Sequence, residues 1–323
     1  MTKTCKNKQE ELHAIKIMKE PWIKLKSGLN QEDYDLINGL LMRCMQNDEI
    51  TLKLELDYKL SDAKNTSEAA GIQGINEFMY FNGTELIGYV GICGFGGGSA
   101  PLEITGMVHP AYRRHGIFTK LHELVKDECR RRNAAGVLLL CDKKSDSGHE
   151  FLNSFGALYK YSEFEMYLRD EHKGIAKELL HEIILRKASN EDAGEVARQN
   201  AIYSSDRAEQ EDKDAPTEIL LLPEEEEKRG MTIYLAESEE EIIGKVHLQV
   251  SSGIGGIYGL GVLPEYRGKG YGRAILLKAV EKLKAVKAEQ IMLQVAAENE
   301  KALSLYKSCG FEETSVMDYF EWV

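Results

Sequence analysis

The sequence predicts an α/β fold of the mixed-sheet (α+β) kind, made of two similar domains in tandem. Three observations carry this expectation. First, Pro110 and Pro264 lie 154 residues apart, and the same spacing joins Arg113 to Arg267, Gly116 to Gly270 and Gly156 to Gly310. Around these pairs EITGMVHPAYRRHGIFTKL (103–121) faces IYGLGVLPEYRGKGYGRAI (257–275) with no gap. A repeat of that length is a domain, not a solenoid unit. Second, both halves run through strand, helix, hairpin, strand and helix in the same order. Third, 323 residues with 43% hydrophobic content are enough for two cores.

The elements follow in order. PWIKLKSG reads as a strand and LNQEDYDLINGLLMRC as the helix after it. In the second half EIILRKAS and NEDAGEVARQNA repeat the pair, with Asn190 as the expected N-cap. NEFMYFNGTELIGYVGICGF is a hairpin turning at Asn82-Gly83, and MTIYLAESEEEIIGKVHLQV one that turns through its acidic cluster. The glycine runs GFGGG (94–98) and GIGG (253–256) stand between strands, so they read as hairpin loops and not as phosphate cradles. EEEEKR (224–229) is a solvated helix face or loop. From Gly270 to about Lys284 the residues Ile275, Leu276, Ala279, Val280 and Leu283 form a helical stripe. QIMLQV (290–295) is a buried strand, and Asn299 to Cys309 a last helix closed by Gly310. The polar stretch RDEHKGIAKE puts the seam between Asp170 and His181, giving domains 1–175 and 176–323.

Composition removes several function classes. A net charge of −12 argues against a nucleic-acid partner, whose phosphates would be met by Lys and Arg. The first twenty residues lack the apolar core of a signal peptide, and no later run approaches membrane-spanning length. The expectation is a cytoplasmic protein with no membrane partner. Its cysteines, Cys5, Cys44, Cys93, Cys129, Cys141 and Cys309, are scattered without a C-x-x-C pair, which predicts reduced thiols and no metal centre. His109 and His115 stand near each other, one before Pro110 and one within RRHGIF, without the spacing of a metal site. Nothing in the sequence marks an oligomeric state.

The chemistry concentrates in RGKGYG (267–272), between an apolar strand and a helix. The first amides of a helix have no internal acceptor and, with the helix dipole, attract anions. Glycines let a ligand approach that backbone. A dinucleotide fingerprint would read G-x-G-x-x-G and a P-loop would end in Gly-Lys-Ser/Thr, and neither fits. Arg-x-x-Gly-x-Gly does fit, with Val262-x-Pro264-x-Tyr266 ahead of it and Leu293-x-Val295, Asn299, Ala302, Leu305-Tyr306 and Gly310-Phe311 behind. In these residues the second half resembles the GNAT superfamily of acyl-CoA N-acyltransferases nearly throughout, and the first half less fully, so the chain resembles a tandem GNAT protein.

That resemblance implies acetyl-CoA as cofactor and a primary amine, on a small molecule or a peptide, as partner. It implies that Arg267, Gly268, Lys269, Gly270, Tyr271 and Gly272 hold the pyrophosphate, with Lys269 and Arg273 adding charge and Asn299 near the CoA arm. Leu260, Gly261 and Val262 would splay from Leu293 to Val295, admit pantetheine, and turn a bulge amide towards the thioester carbonyl. Tyr306 takes the position of the general acid, catalytic in this reading, and Asn299 also suits an N-cap.

The two halves then divide. Val108, Arg113, Arg114, Gly116, Ile117 and Phe118 retain part of the cofactor site in the first half, but Phe118 replaces the last loop glycine, Ser145 stands for Asn299 and Leu152 for Tyr306. Glu103, where the family often keeps its base, faces Ile257 across the repeat. For the second half a water chain, Tyr258, Asp318 and Glu321 stay open as the base. The leading expectation is N-acetyl transfer in the second domain by direct attack of the amine. The alternatives are catalysis in the first domain with Glu103, and a non-catalytic acyl-CoA sensor or scaffold.

Overall fold

The computed structural model describes residues 18–65, 74–94, 101–169, 181–205 and 222–322. The expected seam between Asp170 and His181, with the domain limit at 175, and all but the first residue of the GFGGG loop lie outside the described residues. Contacts along the chain define two compact units: Met1–Lys160 with Met317–Val323, and Tyr161–Val316.

In the N-terminal unit, β1 (Pro21–Lys26), β2 (Glu77–Asn82), β3 (Glu85–Gly94) and β4 (Leu102–Val108) pair antiparallel in that order, and β4 pairs parallel with β5 (Val137–Asp142). The hairpin turns directly after Asn82, with Gly83 at φ 59°. Helices α1 (Gln31–Asp48) and α2 (Leu56–Asn65) pack on one face, and α3 (Ile117–Arg131) and α4 (Asp146–Ser154) on the other. Alternation along the strands separates the two cores. Met79, Tyr89 and Met107 meet Ile37 and Leu40 of α1, whereas Val90, Ile92 and Ile104 meet Ile117, Leu121 and Val125 of α3. The Asn30 side chain starts α1 by accepting the Asp33 amide, and buried Asp33 takes the ammonium groups of Lys24 and Lys26.

The C-terminal unit repeats the plan with β7 (Ile184–Lys187), α5 (Ala193–Ser205), α6 (Pro223–Lys228), β8 (Met231–Ser238), β9 (Glu241–Ser251), β10 (Ile254–Val262), α7 (Tyr271–Ala285), β11 (Gln290–Ala296) and α8 (Glu300–Ser308). The acidic hairpin turns on Glu239 and Glu240, both at positive φ, and the next on Ser252 and Gly253. The expected stripe on α7 is buried, with Ile275, Leu276, Ala279 and Leu283 at the centre of the core. Asn190 is not the N-cap it was expected to be. Ser189 precedes the short turn Asn190–Asp192, its amide bonded to the Asp192 carboxylate at 2.8 Å. Asn190 instead accepts the Glu224 amide at 3.2 Å and so serves the start of α6, the EEEEKR helix.

The last strand of each repeat closes the sheet of the other. β6 (Leu158–Leu168), encoded by the first repeat, pairs antiparallel with β11 from Met292↔Tyr167 to Ala296↔Glu163. The end of β12 (Phe311–Glu321) pairs with β5 from Met317↔Asp142 to Glu321↔Leu138. Each unit therefore contains side chains that its own repeat does not encode.

Candidate active site

The two loops that the repeat brings into correspondence are built alike. Gly116 caps α3 at φ 72° and Gly270 caps α7 at φ 95°, a left-handed conformation that admits glycine readily, and neither helix has a side-chain cap at that end. Each motif arginine turns back to the strand before it: Arg267 Nε donates to the Val262 carbonyl at 2.8 Å and Arg113 Nε to Val108 at 3.1 Å. The Arg267 amide donates to Pro264, so the outward-facing donors are those from Gly268 onwards at the helix start. His181 anchors the C-terminal loop. Its Nε2 lies 2.7 Å from the Lys269 carbonyl and its ring stacks on Tyr271 at 4.0 Å. Lys269 lies over the Tyr266 ring, whereas Arg273 reaches away to Ser308 and the Cys309 sulfur and braces the end of α8.

The strands before the loops differ. β4 pairs with β3 in one unbroken register from Leu102 to Val108. β10 shifts register against β9 between Tyr258 and Gly261, a one-residue bulge with Gly259 at φ 52°. Two bare positions make room for it. A Cβ on Gly244 would lie 2.2 Å from the Gly261 carbonyl, and one on Gly261 would lie 2.2 Å from the Tyr203 ring of α5. The parallel pairs between β10 and β11 end at Ile257↔Leu293, below Leu260, Gly261 and Val262. A strand that bulges and parts from its neighbour turns backbone amides into the gap.

The bulge also corrects the alignment of the repeats. Ile104 pairs with Leu139 and Ile257 with Leu293, so upstream of the bulge the true correspondence is one residue off the constant spacing. Glu103 therefore corresponds to Gly256 and not to Ile257. The Tyr258 ring covers that glycine, lying 2.4 Å from where a Cβ would stand, and its hydroxyl donates to the Met292 sulfur at 3.7 Å.

Downstream, Asn299 caps α8 by accepting the Ala302 amide at 3.1 Å. Tyr306, in the last turn of that helix, is buried, with its ring 6.3 Å from Phe311. On the face of the sheet away from α7, Lys245 is buried beside His247, Nζ to Nε2 3.0 Å, and lies over the Tyr203 ring. Burial, and then the Lys245 charge, push the His247 imidazole well below its ordinary pKa, so it stays neutral.

The N-terminal counterpart is filled differently. The Phe118 ring turns inwards: it lies 2.9 Å from where a Cβ on Gly106 would stand and meets Phe151 edge to face at 4.7 Å. Arg113 is clasped by Asp48 through two bonds, of 2.9 and 2.5 Å, and Arg114 by Glu150 at 2.8 Å. Burial works against the Asp48 charge, but Arg113 and Asn47 hold its carboxyl below the usual range. Glu103 is ion-paired with Lys53 at 3.3 Å, and Lys53 also donates to Tyr319. Leu152 is buried where the other unit has Tyr306, and Ser145 caps α4 through Gly148. A cavity of about 410 Å³ remains, lined by Val108, Arg113, Arg114, Gly116, Ile117 and Phe118 among others.

Two acids considered for the second half do not lie there. Asp318 and Glu321 belong to the exchanged end of β12 in the N-terminal unit, Asp318 3.5 Å from His149 and Glu321 3.4 Å from Lys160. Among the described residues no cluster of His, Cys, Asp and Glu is placed to hold a metal ion, and no helix is long and apolar enough to cross a membrane.

Comparison with known proteins completes the description. The model of the acetyltransferase (GNAT) family matches residues 41–157 and 197–311. A mycothiol acetyltransferase of Thermobispora bispora is 39% identical over 90 residues, 26% of this chain and 30% of that protein. One of Renibacterium salmoninarum is 26% identical over 238 residues, 66% of this chain and 64% of that protein. The chain thus spans less than two thirds of the length of these relatives. In fold, a tandem GNAT protein from the clavulanic acid biosynthesis pathway superposes with a TM-score of 0.68 at 14% identity, covering 94% of this chain and 98% of that one.

Proposed function

Because the chain belongs to the acetyltransferase (GNAT) family, we propose that its C-terminal unit transfers an acetyl group from acetyl-CoA to a primary amine of a small molecule or peptide. One observation carries this reading: the bulge of the parting strand β10, the glycine-capped loop and Tyr306 occur together in one unit, whereas the other unit keeps the glycine cap and the parting strand but has neither the bulge nor the tyrosine.

Bound acetyl-CoA supplies an activated acetyl carbon and a thiol leaving group. The amides from Gly268 to Gly272 would hold its pyrophosphate at the positive end of α7, with Lys269 nearby and Gly268 leaving the approach open. Backbone at Leu260 and Gly261 would line pantetheine and offer a hydrogen bond to the carbonyl oxygen as negative charge develops on it. Tyr306, the phenol on α8, would give its proton to the departing sulfur as general acid. The amine attacks as the neutral base, so the ammonium must first shed a proton. Among the described residues, five buried, unbridged cysteines agree with a reducing cytoplasm.

The N-terminal cavity supports a second role for that unit, an acyl-CoA site without turnover. Phe118 and the Arg113–Asp48 pair narrow and neutralise it, and Lys53 is paired with Glu103, the carboxylate at the position where the family often keeps its base. The test of the main reading is release of free thiol from acetyl-CoA by the whole protein, with spermidine, a lysine peptide and glucosamine as acceptors. Amine-dependent release is expected from at least one. Release from none would leave only the sensor reading standing.

A further inference from the structure

The exchanged strand brings a carboxylate into the C-terminal unit that the second repeat does not encode. Gln294 of β11 pairs with Glu165 of β6, one step beyond Ile257↔Leu293, where β10 and β11 part. Ile257, Leu293 and Met166 point into the core under α7, so by alternation Tyr258, Gln294 and Glu165 share the opposite face. His247 joins them through its pairing with Tyr258. The row His247, Tyr258, Gln294, Glu165 thus runs across four strands at the level of the opening.

The charges in this row are ordered. At the β9 end stands Lys245, hydrogen-bonded to a neutral His247. Between the ends stand the phenol of Tyr258 and the carboxamide of Gln294. At the β6 end Glu165 is half-buried, with the Ser315 hydroxyl 3.3 Å from its Oε1. Glu163 follows two residues along the same face, opposite Ala296. Cation at one end and carboxylate at the other would turn an incoming ammonium towards β6 and away from Lys245.

We propose that Glu165 is the group that binds the ammonium end of the acceptor, making the C-terminal unit selective for cationic amines. This rests on acetyl transfer in that unit. Glu165 acts there as a specificity residue: its carboxylate accepts hydrogen bonds from the ammonium, and the proton lost before attack leaves to solvent.

The test is steady-state kinetics of the full chain with saturating acetyl-CoA and spermidine, a lysine peptide or glucosamine as acceptor. Glu165→Gln keeps an acceptor for Ser315 and removes only the charge. It should raise KM for the best acceptor by at least about ten-fold, the loss of one charge-assisted hydrogen bond, with KM for acetyl-CoA within about two-fold of wild type. Glu165→Asp keeps the charge and should recover most of that affinity. An amine KM unchanged in Glu165→Gln would overturn the proposal alone. So would an equal rise in both KM values, or an Asp variant as impaired as Gln, since each marks a structural role. If Glu165→Gln does not fold, the Asp variant decides by the same criterion. Failure of the wild-type protein to acetylate any of the three acceptors would overturn the acetyltransferase reading itself, and this inference with it.

Discussion

RRHGIF and RGKGYG begin their helices with the same backbone, a left-handed glycine cap and an arginine folded back on the preceding strand. What surrounds them is different. Behind RGKGYG the strand bulges, Gly272 leaves the second helical position bare and Tyr306 stands on the following helix; behind RRHGIF the strand is regular, Phe118 lies on Gly106 and Leu152 replaces the tyrosine. The loop, then, is the part that duplication preserves most easily, because its hydrogen bonds are local. The proposed chemistry depends on the bulge and on side chains from other elements, and those occur together in one copy.

The comparison can be broken from the tyrosine side first. Tyr306→Phe should slow turnover by roughly ten- to a thousand-fold while leaving acetyl-CoA affinity near wild type. Wild-type turnover in that variant at every pH would remove Tyr306 from the mechanism. A smaller effect is expected from Gly272→Phe, which gives the C-terminal loop the residue that the N-terminal loop carries. The new side chain starts 3.3 Å from Leu305 and 3.7 Å from Val262. KM for acetyl-CoA should rise by about ten- to a hundred-fold, the scale of losing one hydrogen bond to a charged group. If KM does not move, the ring in the N-terminal loop is no obstacle either.

The smallest effect on activity is expected at Glu128, on α3, whose counterpart on α7 is Lys282, lying over the Tyr234 ring. Glu128 is buried and accepts from Arg131, Arg132 and the Ile75 amide. Chiefly through Arg131, and against its burial, its pKa is lowered to about 2. The folded pKa lies below that of the unfolded chain, so the stabilisation is complete above the ordinary carboxylate pKa and fades as pH falls towards 2. Glu128→Gln should lower Tm at pH 7, with the gap to wild type closing between about pH 5 and pH 2 and acetyl transfer unchanged. A gap of equal size at pH 7 and pH 3 would assign the loss to packing.

Local features were legible in the sequence. The hairpin turn after Asn82, the buried stripe of α7, the Asn299 cap and the closing Gly310 each depend on residues a few positions apart. Asn190 shows where this fails, since its side chain went to a helix 34 residues away. The strand exchange left no local trace, because β6 and β12 have the same pattern whichever β5-type strand they join. For that reason the sequence order misplaces Asp318 and Glu321, which belong to the N-terminal unit, and hides Glu165, which belongs to the C-terminal one. The bulge was hidden more thoroughly. A constant spacing of 154 runs straight through it, so Glu103 was set against Ile257 when the structure sets it against Gly256. His181 carries no motif, and only its position against Lys269 and Tyr271 gives it a role.

The central claim is that turnover belongs to the C-terminal unit. Gly270→Glu and Gly116→Glu test it most directly, because both glycines have positive φ and cap the start of their helices, so backbone strain is similar and only the site differs. A carboxylate at an anion-binding helix start should repel pyrophosphate by several kcal/mol. kcat/KM for acetyl-CoA should fall by at least about a hundred-fold in Gly270→Glu and stay within about three-fold of wild type in Gly116→Glu. A large loss in Gly116→Glu with normal turnover in Gly270→Glu would contradict the claim and move catalysis to the N-terminal unit.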